Sequence, residues 1–161
     1  MALSRIRRIM HPSDFSPTSA GAFLKAVQLA QRDRAELLLV HVLGPIAPIM
    51  GDDYVAAPRM YVDLQRSSRA VASKEIDKLV TKAKQGGVHA RELLLEGNPA
   101  REIVRAAKSK HCDMIVMGTH GRTGFAKFLI GSVAQRVIAM APCPVLTVRG
   151  RNARRLVSAA A

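Results

Sequence analysis

The sequence of 161 residues contains no tryptophan, and aromatic residues make up only 4% of it. Its two cysteines, Cys112 and Cys143, form no CxxC unit, which argues against a cysteine-based metal site. No candidate catalytic base lies near Cys143 in the sequence, so we interpret it as an inert, packed thiol. Reduced thiols are typical of cytoplasmic proteins, and we expect this location.

Long hydrophobic runs and targeting signals are missing as well. The basic N-terminal stretch is not followed by an apolar segment, so it does not resemble a secretory signal. The most apolar stretch, residues 37–50, contains His41, Pro45 and Pro48 and is too short to cross a bilayer. We therefore expect no association with a membrane.

Acidic residues are missing from the last third of the chain, since none follows Asp113. In the whole sequence, 25 Lys and Arg residues outnumber 12 Asp and Glu residues, which gives a formal net charge of +13. Such an excess predicts attraction of anions. Part of this excess positive charge lies beside glycines in residues 114–149, and the rest lies in arginine clusters near the two termini.

Length and composition fit one globular domain. The chain is 48% hydrophobic and 23% charged, which argues against a disordered or fibrous protein. A chain of this length forms one domain with a substantial core. We place this domain at residues 1–150 and expect residues 151–161 to form a mobile basic tail.

Short apolar segments alternate with longer amphipathic ones along the chain. Four helices are predicted between the strands, and Asn98-Pro99 is typical of a helix start. Residues 44–58 contain three prolines and two acids and are interpreted as an irregular connection. The alternation predicts an α/β domain with a parallel sheet, helices on both faces, and a ligand site at the carboxyl ends of the strands. The strand candidates are residues 6–10, 36–43, 88–95, 114–119 and 144–149.

A glycine-rich segment follows the fourth predicted strand. Glycines allow the backbone to approach a ligand closely, and the start of the following helix favours a phosphate. A flexible loop in which Ser132 only caps the helix fits the glycines equally well. Neither GxGxxG nor GxxxxGK[ST] is present, so the segment is not a dinucleotide fingerprint or a Walker loop. Its residues are Gly118-x2-Gly121-x9-Gly131-Ser132, with Arg122 and Lys127 adding positive charge.

The spacing of these glycines is similar to the ATP-binding signature of the universal stress protein family. The resemblance extends over residues 6–149 and includes HPSDFS at 11–16, HV at 41–42, EGNPAREIV at 96–104 and PCPVLTV at 142–148. It implies a three-layer, Rossmann-like α/β/α domain of the adenine-nucleotide-alpha-hydrolase-like type, with five parallel strands in the order 3-2-1-4-5. It also implies a homodimer formed through the last strand, from Val145 to Arg149, which would cover an apolar edge.

The same resemblance implies which residues surround the nucleotide. Asp14 would lie near the ribose and phosphates, as a hydrogen-bond acceptor or as a ligand of Mg²⁺; the alternative is an aspartate that only stabilises its turn. His41, inside an apolar strand, is interpreted as a core residue, and His120 as either a ligand contact or a solvated loop residue. The other implied contacts are Pro12, Ser13, Val42, Met117, Gly118, Gly121, Arg122, Gly131, Ser132 and Val133.

Three functions follow as hypotheses. The first is an ATP-binding regulatory dimer of the stress response, in which Mg²⁺ could bind together with the nucleotide. The second is slow ATP hydrolysis or autophosphorylation, although no nucleophile and base can be paired in the sequence, and no catalytic residue is assigned. The third is non-specific binding of nucleic acid, against which the low aromatic content and the absence of a recognised motif argue. This function would require the first and last strands to lie close together, because only then would the terminal arginines form one patch. These arginines are Arg5, Arg7, Arg8, Arg149, Arg151, Arg154 and Arg155.

Overall fold

A five-stranded parallel sheet forms the centre of the protein. The computed structural model describes residues 5–45, 50–51, 54–55, 58–119 and 130–149. The strand order is β5-β2-β1-β6-β7, which confirms the predicted order 3-2-1-4-5 when only the strands of this sheet are counted. These strands are β1 (Arg8–Pro12), β2 (Glu36–Leu43), β5 (Ala90–Glu96), β6 (Met114–Gly118) and β7 (Val145–Val148).

The central strands are apolar because both of their faces are covered. In β2, residues 37–40 are all buried, as expected for a parallel strand with helices on each side. Strand β1 pairs with β2 on one side, where Ile9 lies opposite Leu37, and with β6 on the other, where Ile9 lies opposite Met114. The middle of the sheet is therefore shielded from water.

Two of the helices, α1 and α3, begin at side-chain capping residues. Ser16 caps α1 by accepting a hydrogen bond from the Ser19 backbone N–H over 3.3 Å, and Asn98 caps α3 in the same way, immediately before Pro99. The predicted helix start at Asn98-Pro99 is thus confirmed. The helices are α1 (Pro17–Asp33), α2 (Pro58–Gln85), α3 (Pro99–Ser109) and α4 (Ser132–Met140).

Two hydrophobic cores lie on opposite faces of the sheet. One contains Phe23 of α1 and Ile76 of α2, and the other contains Ile103 of α3 and Val137 of α4. The order of layers is therefore helices, sheet, helices, as expected. Within the described residues, no helix is both long and apolar enough to cross a membrane.

The connection at residues 44–58 is more regular than its prolines suggested. It contains a two-stranded antiparallel hairpin, formed by β3 (Met50–Gly51) and β4 (Tyr54–Val55). Helix α2 then begins at Pro58, a residue that the first turn of a helix accepts. Residues 59–67 of this helix are exposed, and its first turns leave Met60, Val62 and Leu64 on the surface.

Because all strands of the main sheet are parallel, they begin at one edge, here called the amino edge, and end at the other, the carboxyl edge. Arg5, Arg7 and Arg8 lie at the amino edge, whereas Arg149 follows the end of β7 at the carboxyl edge. Arg149 therefore does not join Arg5, Arg7 and Arg8 in one basic patch, as the nucleic-acid hypothesis required. The proposed tail, residues 151–161 with its three arginines, lies outside the described residues.

Candidate functional site

A cavity of about 280 Å³ opens at the carboxyl edge of the sheet. Its walls come from the ends of β1, β2 and β6, from the first turns of α3, and from the start of α4. Ligands of open parallel sheets bind at this position, where the order of the strands reverses. The lining residues are Pro12, Ser13, Asp14, Val40, His41, Val42, Pro99, Ile103, Met117, Gly118, Gly131, Ser132, Val133 and Ala134.

The cavity collects nine of the residues that the resemblance assigned to the nucleotide. His120, Gly121 and Arg122 lie outside the described residues. The apolar wall formed by Val40, Ile103 and Ala134 was not predicted, because each of these residues has the pattern of an ordinary core position. The nine residues are Pro12, Ser13, Asp14, Val42, Met117, Gly118, Gly131, Ser132 and Val133.

The cavity opens because β1 and β6 separate at their carboxyl ends. Their backbone pairing ends at Met10 and Ile115, whereas β1 stays paired with β2 as far as Pro12. Beyond this point the Nδ1–H of His11 donates to the Val116 carbonyl oxygen over 2.8 Å. A side chain therefore joins the two strands where the backbone ladder has stopped.

His11 joins β1 to β6 beside the cavity, a role that sequence reasoning overlooked. Its side chain is completely buried, and its Nε2 has no hydrogen-bond partner among the described residues. Burial lowers the pKa of His11 to about 4, although the hydrogen bond to Val116 and the charge of Asp14 both favour protonation. The imidazole is therefore neutral at physiological pH, with its proton on Nδ1.

Asp14 lies in a tight turn between β1 and α1. Its Oδ1 accepts hydrogen bonds from the Ser16 backbone N–H over 3.0 Å and from the Ser16 hydroxyl over 2.6 Å. Phe15, within the turn, has a φ of 61°, in a region that non-glycine residues rarely adopt. Asp14 thus stabilises its own turn, as one of the two interpretations expected, and it also lines the cavity.

His41 is half-buried rather than a fully enclosed core residue. Its Nδ1–H donates to the Ser13 carbonyl oxygen over 2.8 Å, and its ring stacks on Phe15 with the centroids 4.3 Å apart. His41 also lines the cavity. His41 therefore connects the end of β2 to the turn that carries Ser13 and Asp14.

The amino end of α4 borders the cavity without a side-chain cap. Gly131, not Ser132, is the N-cap residue, and no side-chain hydrogen bond caps the helix; the interpretation of Ser132 as a cap is therefore wrong. The first turn of the helix also lacks an acidic residue. Backbone N–H groups and the helix dipole make such an end favourable for a phosphate.

A magnesium ion would have few protein ligands here. No group of three or more His, Cys, Asp or Glu side chains suited to a metal occurs in the part of the chain that the structure describes. Asp14 is the single acidic residue among the described residues that line the cavity. Magnesium commonly binds one or two carboxylates together with phosphates of the substrate, so Asp14 fits the role of one ligand only.

Comparison with known proteins gives a consistent result. A family model described as "Universal stress protein family" matches residues 5–149. A universal stress protein of Methanocaldococcus jannaschii is 37% identical over 143 residues, which are 89% of this chain and 82% of that protein. The universal stress protein YxiE of Bacillus subtilis is 34% identical over 141 residues, covering 84% of this chain and 94% of that protein.

Solved structures share the fold. The universal stress protein UspA of Lactobacillus plantarum has a TM-score of 0.77 and 25% identity, with 91% of this chain and 100% of that chain covered. Three more distant structures contain nucleotides. They are a universal stress protein with cAMP (TM-score 0.65), one from Archaeoglobus fulgidus with dAMP (0.62) and one from Arabidopsis thaliana with AMP (0.63).

Proposed function

Because the chain belongs to the universal stress protein family, we propose that its carboxyl-edge cavity binds an adenine nucleotide, with ATP as the physiological ligand. The main support is that one cavity collects nine residues that the family resemblance implies as nucleotide contacts. The cAMP, dAMP and AMP in solved universal stress proteins of the same fold support the adenine class.

Each wall of the cavity suits one part of the nucleotide. Val40, Ile103 and Met117 provide apolar surface for a base, and the backbone of Val42 would face its edge. Asp14 would accept a hydrogen bond from the ribose. The uncapped start of α4 would receive phosphate oxygens through backbone N–H groups.

The proposed role is regulation by the bound nucleotide, not rapid catalysis. Magnesium, where present, would be held mainly by the phosphates, with Asp14 as one ligand. Phosphoryl transfer needs little beyond aligned phosphates, a metal and a water, so slow ATP hydrolysis or autophosphorylation is the second candidate function. Turnover at about 1–100 per second, the range of kinases, would contradict the regulatory role.

The proposed active form is a cytoplasmic homodimer joined through β7. This strand lies at the edge of the sheet and is paired only with β6 among the described residues. Beside it, α4 exposes Ile138 and Met140, and an exposed apolar edge is a site of association. Both cysteines are free, as expected for proteins of a reducing compartment.

The proposal is tested by titrating the purified protein with ATP, AMP, cAMP and GTP in a calorimeter. We expect adenine nucleotides to bind at least about tenfold more tightly than GTP, which corresponds to about 1.4 kcal/mol. The substitution Ser132→Trp should block the cavity and weaken ATP binding by a similar factor or more. Gln135→Trp is the matched control, because Gln135 is an exposed residue of the same helix that does not line the cavity.

Two results would overturn the proposal. One is an equal affinity for GTP and ATP, which would show that the base is not recognised in the cavity. The other is an equal loss of ATP binding in both tryptophan variants. Nucleotide that co-purifies with the protein can be released by denaturation and identified, and its absorbance is easily seen because the chain has no tryptophan.

A further inference from the structure

The amino edge of the sheet, opposite the cavity, carries most of its positive charge on exposed side chains. Four segments meet there: residues 5–8, 33–36, 84–91 and 108–113, which precede β1, β2, β5 and β6 or form their first residues. They contain eight Lys and Arg residues against three acids. Seven of the eight are exposed, and Arg8 is half-buried. The exposed ones, here called the amino-edge cations, are Arg5, Arg7, Arg34, Lys84, Arg91, Lys108 and Lys110.

The three acids of these segments are half-buried and are engaged by neighbouring groups. Asp113 Oδ2 accepts hydrogen bonds from the Arg7 and Arg8 backbone N–H groups over 2.8 and 2.9 Å. Glu36, whose side chain is 13% exposed, lies between Arg8 and Arg91 with contacts of 2.6 and 2.5 Å. Asp33 is half-buried and pairs with Arg32. The outer surface of this edge is therefore basic.

Helix dipoles account for only part of this charge. The helices α1, α2, α3 and α4 all end at the amino edge, and each C-terminus is equivalent to about −0.5 elementary charge. Together they offset about two of the five excess positive charges of the segments. About three positive charges at the amino edge are therefore not balanced by acids or helix dipoles.

Hydrogen bonds fix the amino-edge segments in a row. The Glu36 backbone N–H donates to the Arg7 carbonyl oxygen over 2.8 Å, and the Asp113 backbone N–H donates to the Arg8 carbonyl oxygen over 2.9 Å. On the far side of β2, Leu37 N–H donates to the His89 carbonyl oxygen over 2.9 Å. Neighbouring strands lie about 4.8 Å apart, so the row from β5 to β6 is about 14 Å long.

We propose that the amino edge binds the phosphate backbone of duplex nucleic acid. Four of the seven amino-edge cations are arginines, whose planar guanidinium groups suit phosphate oxygens. None of the exposed large hydrophobic side chains among the described residues lies in the four segments, although a protein partner normally requires an apolar centre. The segments also contain no Phe, Tyr or Trp, on which single-stranded bases would stack.

The test compares two triple variants that remove the same charge from different surfaces. The edge variant is Arg7→Gln, Arg34→Gln and Lys110→Gln; these side chains make no ion pair among the described residues. The control variant is Arg59→Gln, Arg66→Gln and Lys25→Gln, all exposed and outside the four amino-edge segments. Binding to a labelled 20-base-pair DNA duplex is measured by fluorescence anisotropy between 50 and 200 mM salt.

Non-specific duplex binding that weakens steeply with salt is expected for the native chain. The edge variant should lose about tenfold or more in affinity, and the slope of log K against log salt should fall by up to about 2.7, since each phosphate contact contributes about 0.9. The control variant should keep the native slope. ATP binding, which uses the opposite edge, should be unchanged in both variants.

Three outcomes would overturn the proposal. An equal loss in the edge and control variants would mean that only net charge acts. Tighter binding of a single strand of the same length would contradict a duplex ligand. Tighter binding to vesicles with 20% phosphatidylserine than to the duplex, at the same salt, would assign the amino edge to an anionic membrane. Each outcome is independent of whether the cavity binds a nucleotide.

Discussion

The Nδ1–H of His11 donates to the Val116 carbonyl oxygen over 2.8 Å, at the point where backbone pairing between β1 and β6 has ended. The two strands diverge beyond it, and the space between them becomes the carboxyl-edge cavity. This hydrogen bond limits how far they separate. His11 does not line the cavity, so its effect on the proposed nucleotide would pass through the positions of Pro12 and Met117.

The first prediction concerns this bridge. His11→Leu should lower the free energy of unfolding by about 1–3 kcal/mol, because the buried Val116 carbonyl loses its donor. It should also weaken AMP binding several-fold, since the cavity walls are no longer held together. His11→Asn offers an amide N–H near the place of Nδ1 and should restore part of both losses. Urea denaturation and calorimetric titration measure the two effects; equal affinities for all three proteins would contradict the role.

The second prediction follows from the low pKa of His11. Burial lowers this pKa to about 4 in the folded protein, whereas in the unfolded chain it is about 6.5. Between these values only the unfolded chain binds the proton, so stability falls as the pH decreases from about 6.5 to 4. The full loss is about 3 kcal/mol.

Urea denaturation at pH 7, 6, 5 and 4.5 checks this prediction. His11→Asn should have a flatter dependence of stability on pH than the native chain. His111→Asn is the matched control, because His111 is exposed and its φ of 51° is one that asparagine accepts. If the control flattens the curve as much as His11→Asn does, the buried imidazole is not its source.

The sequence predicted which strand ends line the cavity, but it did not predict the hydrogen bond between β1 and β6 where the cavity opens. Short motifs such as HPSDFS and the glycine spacing lie at strand ends, and parallel topology brings strand ends together. His11 belongs to the first of these motifs, but its role depends on Val116, which is 105 positions away. Nothing local distinguishes a histidine that bridges two strands from one that fills a turn.

The spatial distribution of the basic residues could not be predicted without the fold. The arginines near both termini are similar in sequence, but the parallel sheet places Arg7 and Arg149 at opposite edges. The amino-edge cations come from four separate segments, and only the strand order reveals that they are neighbours.

The third prediction concerns the Glu36 carboxylate, which connects β1 and β5 at the amino edge. Glu36 contacts Arg8 of β1 and Arg91 of β5. Burial alone would raise the pKa of Glu36, but the hydrogen bonds from these two arginines outweigh it and lower the pKa. This interaction stabilises the folded protein fully when the pH is above the normal glutamate pKa. The stabilisation is lost as the pH falls through the lowered pKa of Glu36.

Glu36→Gln should therefore lower the free energy of unfolding at pH 7 by about 1–3 kcal/mol, because it leaves two arginines without their partner. Glu75→Gln is the control: Glu75 pairs with Lys78 on the surface of α2, and such pairs contribute about 0.3–0.5 kcal/mol. Thermal and urea denaturation provide the measurement. Equal losses in the two variants would show that the Glu36 cluster adds nothing beyond a surface pair.

The fourth prediction tests the proposed dimer by changing one backbone group of β7. The Pro144 and Val148 carbonyl oxygens accept hydrogen bonds from Ile115 of β6 and from Thr119 just after it. Because groups alternate along a parallel strand, the N–H and C=O of Thr147 face away from β6. Proline has no N–H, so Thr147→Pro removes an outward donor and leaves the bonds to β6 intact. Thr147→Ala keeps the donor and is the matched control.

Light scattering after size exclusion should give a dimer for the native chain and for Thr147→Ala, and a monomer for Thr147→Pro. Circular dichroism should show that the proline variant keeps its fold, since prolines are tolerated on edge strands. A native chain that is monomeric at about 100 μM would contradict pairing through β7, because stable dimers generally associate in the micromolar range or below. A proline variant that stays dimeric would instead move the interface away from the strand, towards the exposed Ile138 and Met140 of α4.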